Sequence, residues 1–145
     1  MINPFRLPKM TYAEALLSNE ALNCGLYFVF LNEELLYIGK ASSITLKRRL
    51  GEHLTFDNGF NTLVKKVSVS LKIPMSNTDQ IIDFIKRNFK FSMVSYRVHS
   101  YDSQDNYHND EALRREIASK EKELITKYHP HFNKRKIQYF IGFGC

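Results

Sequence analysis

Two tyrosines, an arginine, a histidine and a glutamate hold the chemistry that this sequence offers. Tyr27 lies in the run Gly25-Leu26-Tyr27-Phe28-Val29-Phe30-Leu31 and Tyr37 in Leu35-Leu36-Tyr37-Ile38, with Asn32-Glu33-Glu34 between them. Both runs are dense in β-forming residues and read as a hairpin. Side chains alternate faces along a strand, so a three-residue loop sets Tyr37 opposite Val29 and Tyr27 opposite Gly39. Both tyrosines then share one face, and Gly39 leaves room beside Tyr27. A loop of two or four residues separates them unless a bulge has the same effect. Two ordinary strand tyrosines are the plainer alternative, since β propensity favours them anyway.

Behind the hairpin, residues 45–54 read as a helix with Leu46, Leu50 and Leu54 as its buried stripe. Arg49 and His53 stand one turn apart and flank that stripe, while Arg48 and Glu52 lie toward solvent. An arginine presents a planar fork to phosphate oxygens, and a histidine can carry a proton near neutral pH. A solvated arginine beside a half-buried histidine remains the bland reading. A long helix over residues 110–128 supplies the acid. Its apolar stripe runs Leu113, Ile117, Leu124, Ile125 and Tyr128, and Glu121 falls inside it. Glu116 and Glu123 lie about 140° and about 200° around the axis from Glu121. A carboxylate on a buried face is costly unless it is paired or binds a cation. Among the acids of this helix Glu121 asks for a functional explanation, with a buried ion pair as the alternative.

The elements that must place these groups follow from punctuation and periodicity. Residues 1–10 hold two of the four prolines and read as an arm. Thr11 and Glu14 form a capping box for a helix over residues 12–22. The stretch 57–60 breaks the helix that carries Arg49. Residues 61–73 fit a helix or a strand, with helix preferred and Asn61 as its cap. Pro74 ends it, and Ser76 or Asn77 starts another helix that runs to about residue 88. Residues 89–98 read as a third strand, and 137–143 as a short final one. Strands mixed with helices, opening on a hairpin, indicate an α+β fold rather than a wound parallel sheet.

Composition sets the outer bounds. The chain has 145 residues, a 43% hydrophobic share and a net charge of +6, with a pI near 9.3. The length predicts one domain spanning 1–145. An arm and helix are expected over 1–23. A basic balance suits nucleic acid before membrane. Cys24 and Cys145 make neither a disulfide framework nor a zinc site of cysteine pairs. No segment approaches the ~20 apolar residues of a membrane span. A cytoplasmic protein without membrane contact is expected. Lys65, Lys66, Lys86 and Arg87 read as solvated helix faces, and His129 and His131 as surface residues.

Taken together, these pieces resemble the GIY-YIG nuclease family. Gly25-Leu26-Tyr27 matches the first motif, with Leu where Ile is usual, and Tyr37-Ile38-Gly39 matches the second, followed by Lys40-Ala41. Leu46-Lys47-Arg48-Arg49 matches the helix motif and continues to His53. Glu121, Leu124-Ile125, Pro130 and Asn133 match the closing pattern. The resemblance spans roughly residues 24–134 and implies a core there, with an extension over 135–145, built on a small three-stranded antiparallel sheet flanked by helices.

Its implied activity is divalent-metal-dependent endonucleolytic hydrolysis of DNA phosphodiesters, double-stranded or branched. One Mg²⁺ or Mn²⁺ ion would bind Glu121, since hard ions prefer oxygen ligands. Tyr27 or Tyr37 would be the general base, helped by Lys40, Arg49 or His53, and Arg49 would meet the phosphate. Asn133, Lys40 and Gly39 would be positioning residues. Lys40, Arg48, Lys134, Arg135 and Lys136 would meet nucleic acid. Specificity would come from within the chain, from a homodimer or from a protein partner, with residues 57–88 as the place for a specialised element. A nucleic-acid-binding or scaffold module that keeps the fold without cleavage is the alternative.

Overall fold

A computed structural model describes residues 2–54, 63–96 and 111–133. Three antiparallel strands form one sheet in the order β2-β1-β3: β1 is Cys24–Leu31, β2 is Glu34–Ala41 and β3 is Phe89–Tyr96. The helices are α1 (Tyr12–Leu17), α2 (Leu46–Glu52), α3 (Leu63–Leu71), α4 (Thr78–Asn88) and α5 (Glu111–Tyr128). This is the expected α+β arrangement. Among the described residues no helix is long and apolar enough to cross a membrane.

Central strand β1 is buried along nearly its whole length, because both sheet faces are covered. On one face Tyr27, Val29 and Leu36 pack with Leu46 and Leu50 of α2, Leu63, Val64 and Val67 of α3, and Ile81 and Ile85 of α4. On the other, Leu26, Phe28, Phe30 and Ile38 meet Ile117 and Leu124 of α5. A strand covered on both sides reads as a continuous apolar run rather than an alternating one.

The hairpin differs from the three-residue loop in an instructive way. Only Asn32 and Glu33 turn the chain, with φ of 50° and 69°, the left-handed pair that a two-residue hairpin turn needs. Leu31 therefore pairs with Glu34 and Phe30 with Leu35, but Val29 pairs with Tyr37 and Tyr27 with Gly39. Leu36 is the extra residue of a β-bulge, and it restores the register that a three-residue loop would give.

Elsewhere the helices mostly follow their signals. The Thr11 capping box with Glu14 is formed, but the helix expected over 12–22 stops at Leu17. Ser18 is extended, its hydroxyl donates to the Ala15 carbonyl at 2.8 Å, and a separate 3₁₀ turn covers Asn19–Leu22. Serine's short polar side chain competes with the helix ladder for that carbonyl. Residues 63–71 are helical, as preferred over a strand. The end of α3 is set by Lys72, left-handed at φ 57°, with Ile73 N–H donating to Ser68 O at 3.0 Å, before Pro74 is reached. The N-terminal arm is packed rather than loose. Phe5 stacks edge-on against Phe30 and Tyr128, and Met10 pairs with Phe91 through two backbone hydrogen bonds. Asn61, the 57–60 break and the strand expected at 137–143 lie outside the described residues.

Glu33 is a non-glycine residue held left-handed, which costs about 1–2 kcal/mol relative to the right-handed basin. Glu33→Gly is expected to stabilise the chain by about 0.5–1 kcal/mol, a rise of a few degrees in Tm by thermal denaturation. A lower Tm would contradict the turn geometry.

Candidate active site

The bulge at Leu36 puts Tyr27 and Tyr37 on one face, with ring centroids 6.0 Å apart. Gly39 sits directly opposite Tyr27, and a Cβ there would land on the Tyr27 phenol. Room for the first tyrosine is thus the reason for glycine at that position. Gly25 is constrained by backbone instead, since a Cβ would strike the Val94 carbonyl on β3.

Helix α2 delivers the next two groups. Thr45 caps it by accepting from Arg48 N–H at 3.2 Å. Leu46 and Leu50 are wholly buried, and Tyr12 donates its hydroxyl to the Leu50 carbonyl at 2.9 Å. That bond ties α1 to the end of α2 and fixes the helix against the sheet. His53, just past its last turn, is buried, more deeply than the sequence suggests. Its ring lies edge-on to both tyrosines, at 5.4 and 5.7 Å between centroids.

The hydrogen bonds of His53 fix its protonation. Its Nδ1 accepts the Leu63 amide at 3.1 Å, so the neutral ring carries its proton on Nε2, which meets the Tyr27 hydroxyl. Burial, then the charges of Arg49 and Lys66, lower the His53 pKa from 6.5 to about 3. This histidine is neutral throughout the physiological range, with both nitrogens engaged. Burial raises the pKa of both tyrosines, strongly for Tyr27, with the Glu121 charge adding to the rise and the Arg49 charge opposing it.

Arg49 joins these groups to the acid. Its charge acts on Tyr27, Tyr37, His53 and Glu121 alike. One terminal nitrogen, Nη1, holds Glu52 Oε1 at 3.0 Å, while Nε is buried with no hydrogen-bond partner. Arg48, by contrast, is well exposed and reaches Glu52 only at 3.9 Å. Glu121 lies between the buried anchors Ile117 and Leu124 and is itself half-buried. Burial raises its pKa, while Lys40 and Arg49 pull it down. Its charge in turn raises both tyrosines. The charges of Glu121 and Arg49 and the two tyrosines are thus near enough to influence one another.

Asn133 serves a different purpose from the titrating groups. Its Oδ1 accepts the Ile38 amide at 2.8 Å and its Nδ2 donates to the Ile38 carbonyl at 2.9 Å. Among the described residues β2 is an edge strand, and this side-chain amide satisfies backbone groups of Ile38, the residue between Tyr37 and Gly39.

Lys66 is the group that sequence reasoning missed. It is buried, not solvated, and donates to the Phe132 carbonyl at 2.9 Å. The available signal was spacing, because Lys66 falls three residues after Leu63 and beside Val67, on the buried stripe of α3. His131 is likewise half-buried against Phe132 rather than fully at the surface, whereas His129, Lys86 and Arg87 are exposed. Cys24 is a buried thiol. Lys134, Arg135, Lys136 and Cys145 lie outside the described residues.

Could these residues hold a divalent cation? Among the described residues no three His, Cys, Asp or Glu side chains converge. The single half-buried carboxylate of Glu121 suits a hard ion that keeps most of its waters and takes further oxygens from phosphate. The donor set fits such an ion and does not fit a closed protein cage.

The sequence matches no family model and no curated protein. Solved structures with a similar chain path include two point mutants of the GIY-YIG N-terminal endonuclease domain of UvrC from Thermotoga maritima, each bound to its catalytic divalent cation. They are 19% and 20% identical to this chain with TM-scores of 0.47, and each comparison covers 93% of this chain and all of the other.

The neutral buried His53 makes stability depend on pH. The unfolded histidine takes up a proton below about 6.5, whereas the folded one resists until about 3. Its stabilising contribution is complete above pH 6.5 and is lost as pH falls through that window. Wild-type Tm should therefore decline from pH 6.5 toward 4 more steeply than that of His53→Gln. Parallel declines would show that His53 is not held neutral.

Proposed function

We propose that the chain is a GIY-YIG-type nuclease that hydrolyses DNA phosphodiesters with one divalent cation. The observation that carries this reading is Arg49. Its charge reaches two tyrosines and a half-buried carboxylate, and its buried Nε lacks a partner. A buried donor without a partner costs about 1–3 kcal/mol, a cost that an anion seated beside Arg49 would relieve. A phosphate diester has the charge and the acceptor oxygens to do so.

Tyr37 is the better general base of the two tyrosines. Tyr27 is sealed in the core with its hydroxyl engaged by His53, whereas Tyr37 is only half-buried. His53 Nε2–H donates to Tyr27, and a Tyr27 O–H turned toward Tyr37 would make the Tyr37 oxygen the acceptor. As phenolate, that oxygen would accept a proton from the attacking water while Arg49 stabilises charge on the phosphate. A divalent cation at Glu121 would supply Lewis acidity at the phosphate and offset the negative charge that now raises Tyr37. Asn133 would keep Tyr37 in place by holding Ile38, and Lys40, whose charge acts on Glu121, would sit at the phosphate side. Arg48 is exposed and available to the DNA backbone, with Lys134, Arg135 and Lys136 proposed to continue that track. Specificity would come from a second copy or a protein partner.

Supercoiled plasmid incubated with Mg²⁺ or Mn²⁺ should be nicked or linearised, and chelation should abolish this. Arg49→Ala, Glu121→Ala and Tyr37→Phe are each expected to lower kcat by about 10²–10³-fold. Cleavage undiminished in Glu121→Ala would overturn the site. DNA binding without cleavage, across metals and linear, nicked and branched substrates, would instead favour a binding module. The rate should climb with pH between 7 and 9, as a tyrosine base requires, without an inflection near 6.5 from His53. An inflection there that vanishes in His53→Gln would return the base role to histidine.

A further inference from the structure

We infer that Lys66 is a positioning residue of this site, fixing the orientation of the Tyr37 ring by tying α3 to β2 and to the segment after α5. The inference deepens the nuclease reading and rests on it for its kinetic consequence.

Lys66 Nζ lies over the Tyr37 ring, 5.3 Å from its centroid, within the range of a cation–π contact. The same ammonium donates to the Phe132 carbonyl at 2.9 Å. Phe132 is bonded to Asn133, whose amide clamps Ile38 by two hydrogen bonds, and Ile38 is bonded to Tyr37. The contacts close a circuit: Tyr37 is held through its backbone by Asn133 and through its ring by Lys66, and both holds are anchored on adjacent residues. Among the described residues no strand lies outside β2, and the circuit limits rotation of the Tyr37 ring there.

Simple packing does not account for a lysine here. An apolar side chain of similar length would fill the space without the cost of desolvating an ammonium. Nor is Lys66 a backbone-phosphate contact of the usual kind, being only 8% exposed with its head group directed at a carbonyl. Burial, and then Lys65, lower its pKa to about 8, so it is still cationic at neutral pH. Its charge also opposes protonation of His53, which keeps Nδ1 an acceptor for the Leu63 amide.

The test compares the full chain with Lys66→Met, which keeps the stem and removes the charge, and with Lys66→Arg. On plasmid, Lys66→Met should lower kcat about tenfold to hundredfold, the cost of a misplaced group, with KM changed less than about twofold. The salt dependence of DNA binding should be unchanged, whereas loss of a phosphate contact would reduce its slope by about one. Lys66→Arg should recover part of the rate. Wild-type kcat in a folded Lys66→Met, or an effect confined to KM and the salt slope, would overturn the inference. A second measurement does not depend on that variant folding. In protein labelled with ¹³Cε-tyrosine, assigned with Tyr37→Phe, the ring of Tyr37 should give two inequivalent signals from slow flipping in wild type and Lys66→Arg. A single averaged signal in wild type would refute the tether. No cleavage by wild type under any metal would sink the nuclease reading, while the ring signals would still decide the tether.

Discussion

One extra residue in β2 determines which way its side chains point. A two-residue turn at Asn32-Glu33 alone would pair positions so that Tyr27 and Tyr37 fell on opposite faces of the sheet. Leu36 is inserted opposite Val29, and from there on every residue of β2 faces the side that the site needs. Both tyrosines then meet His53, Gly39 clears space for one of them, and Ile38 turns into the opposite core, where it packs against α5. Without the bulge, Tyr37 would turn to the α5 side and Ile38 to the side that carries Tyr27. Bulges near functional sites commonly re-aim a side chain in this way, and here the hydrophobic pattern on both faces enforces it.

A second constraint concerns what the histidine can do. At that place in the helix it has the look of an acid or base. With Nδ1 committed to the Leu63 amide and Nε2 to Tyr27, a proton added at Nδ1 would cost a backbone hydrogen bond in a buried setting. The ring is therefore a fixed donor. It orients Tyr27, whose ring lies 6.0 Å from that of the less buried Tyr37. Polarity in these linked bonds is set by the Leu63 amide, which is why a backbone amide in α3 matters to a hydroxyl on β1.

Much of this was legible in residue spacing. The paired tyrosines, the glycine beside Tyr27, the phase of Arg49 and His53 on α2, and the place of Glu121 in its stripe follow from periods of two and 3.6 residues. The hairpin loop was not, because a two-residue turn with a bulge and a three-residue loop pair the same residues beyond Val29. The split at Ser18 was hidden for a similar reason: an apolar pattern continues through residues 12–22 while one hydroxyl captures a carbonyl. Lys66 was misread because a charged side chain between apolar neighbours defaults to solvent. Only a partner distant in the chain, the Phe132 carbonyl, makes its burial tolerable. Local periodicity sees faces; it does not see carbonyls that arrive from the far end of the chain.

Tyr37 packs with the core on the face covered by α1 to α4, and Arg49 is carried by α2. Glu121 is carried by α5 on the other face, with β2 at the edge of the sheet among the described residues. An edge strand exposes backbone donors and acceptors and is the least constrained part of a small sheet. Asn133 answers this by hydrogen bonding Ile38 as a neighbouring strand would. A fourth strand would give β2 that support along its whole length. An amide side chain at the end of α5, braced by the Lys66 contact to Phe132, stiffens one residue and leaves its neighbours open. That explains why the closing segment after Tyr128 returns to β2: the carboxylate and the clamp arrive on the same stretch of chain, so the position of one fixes the other.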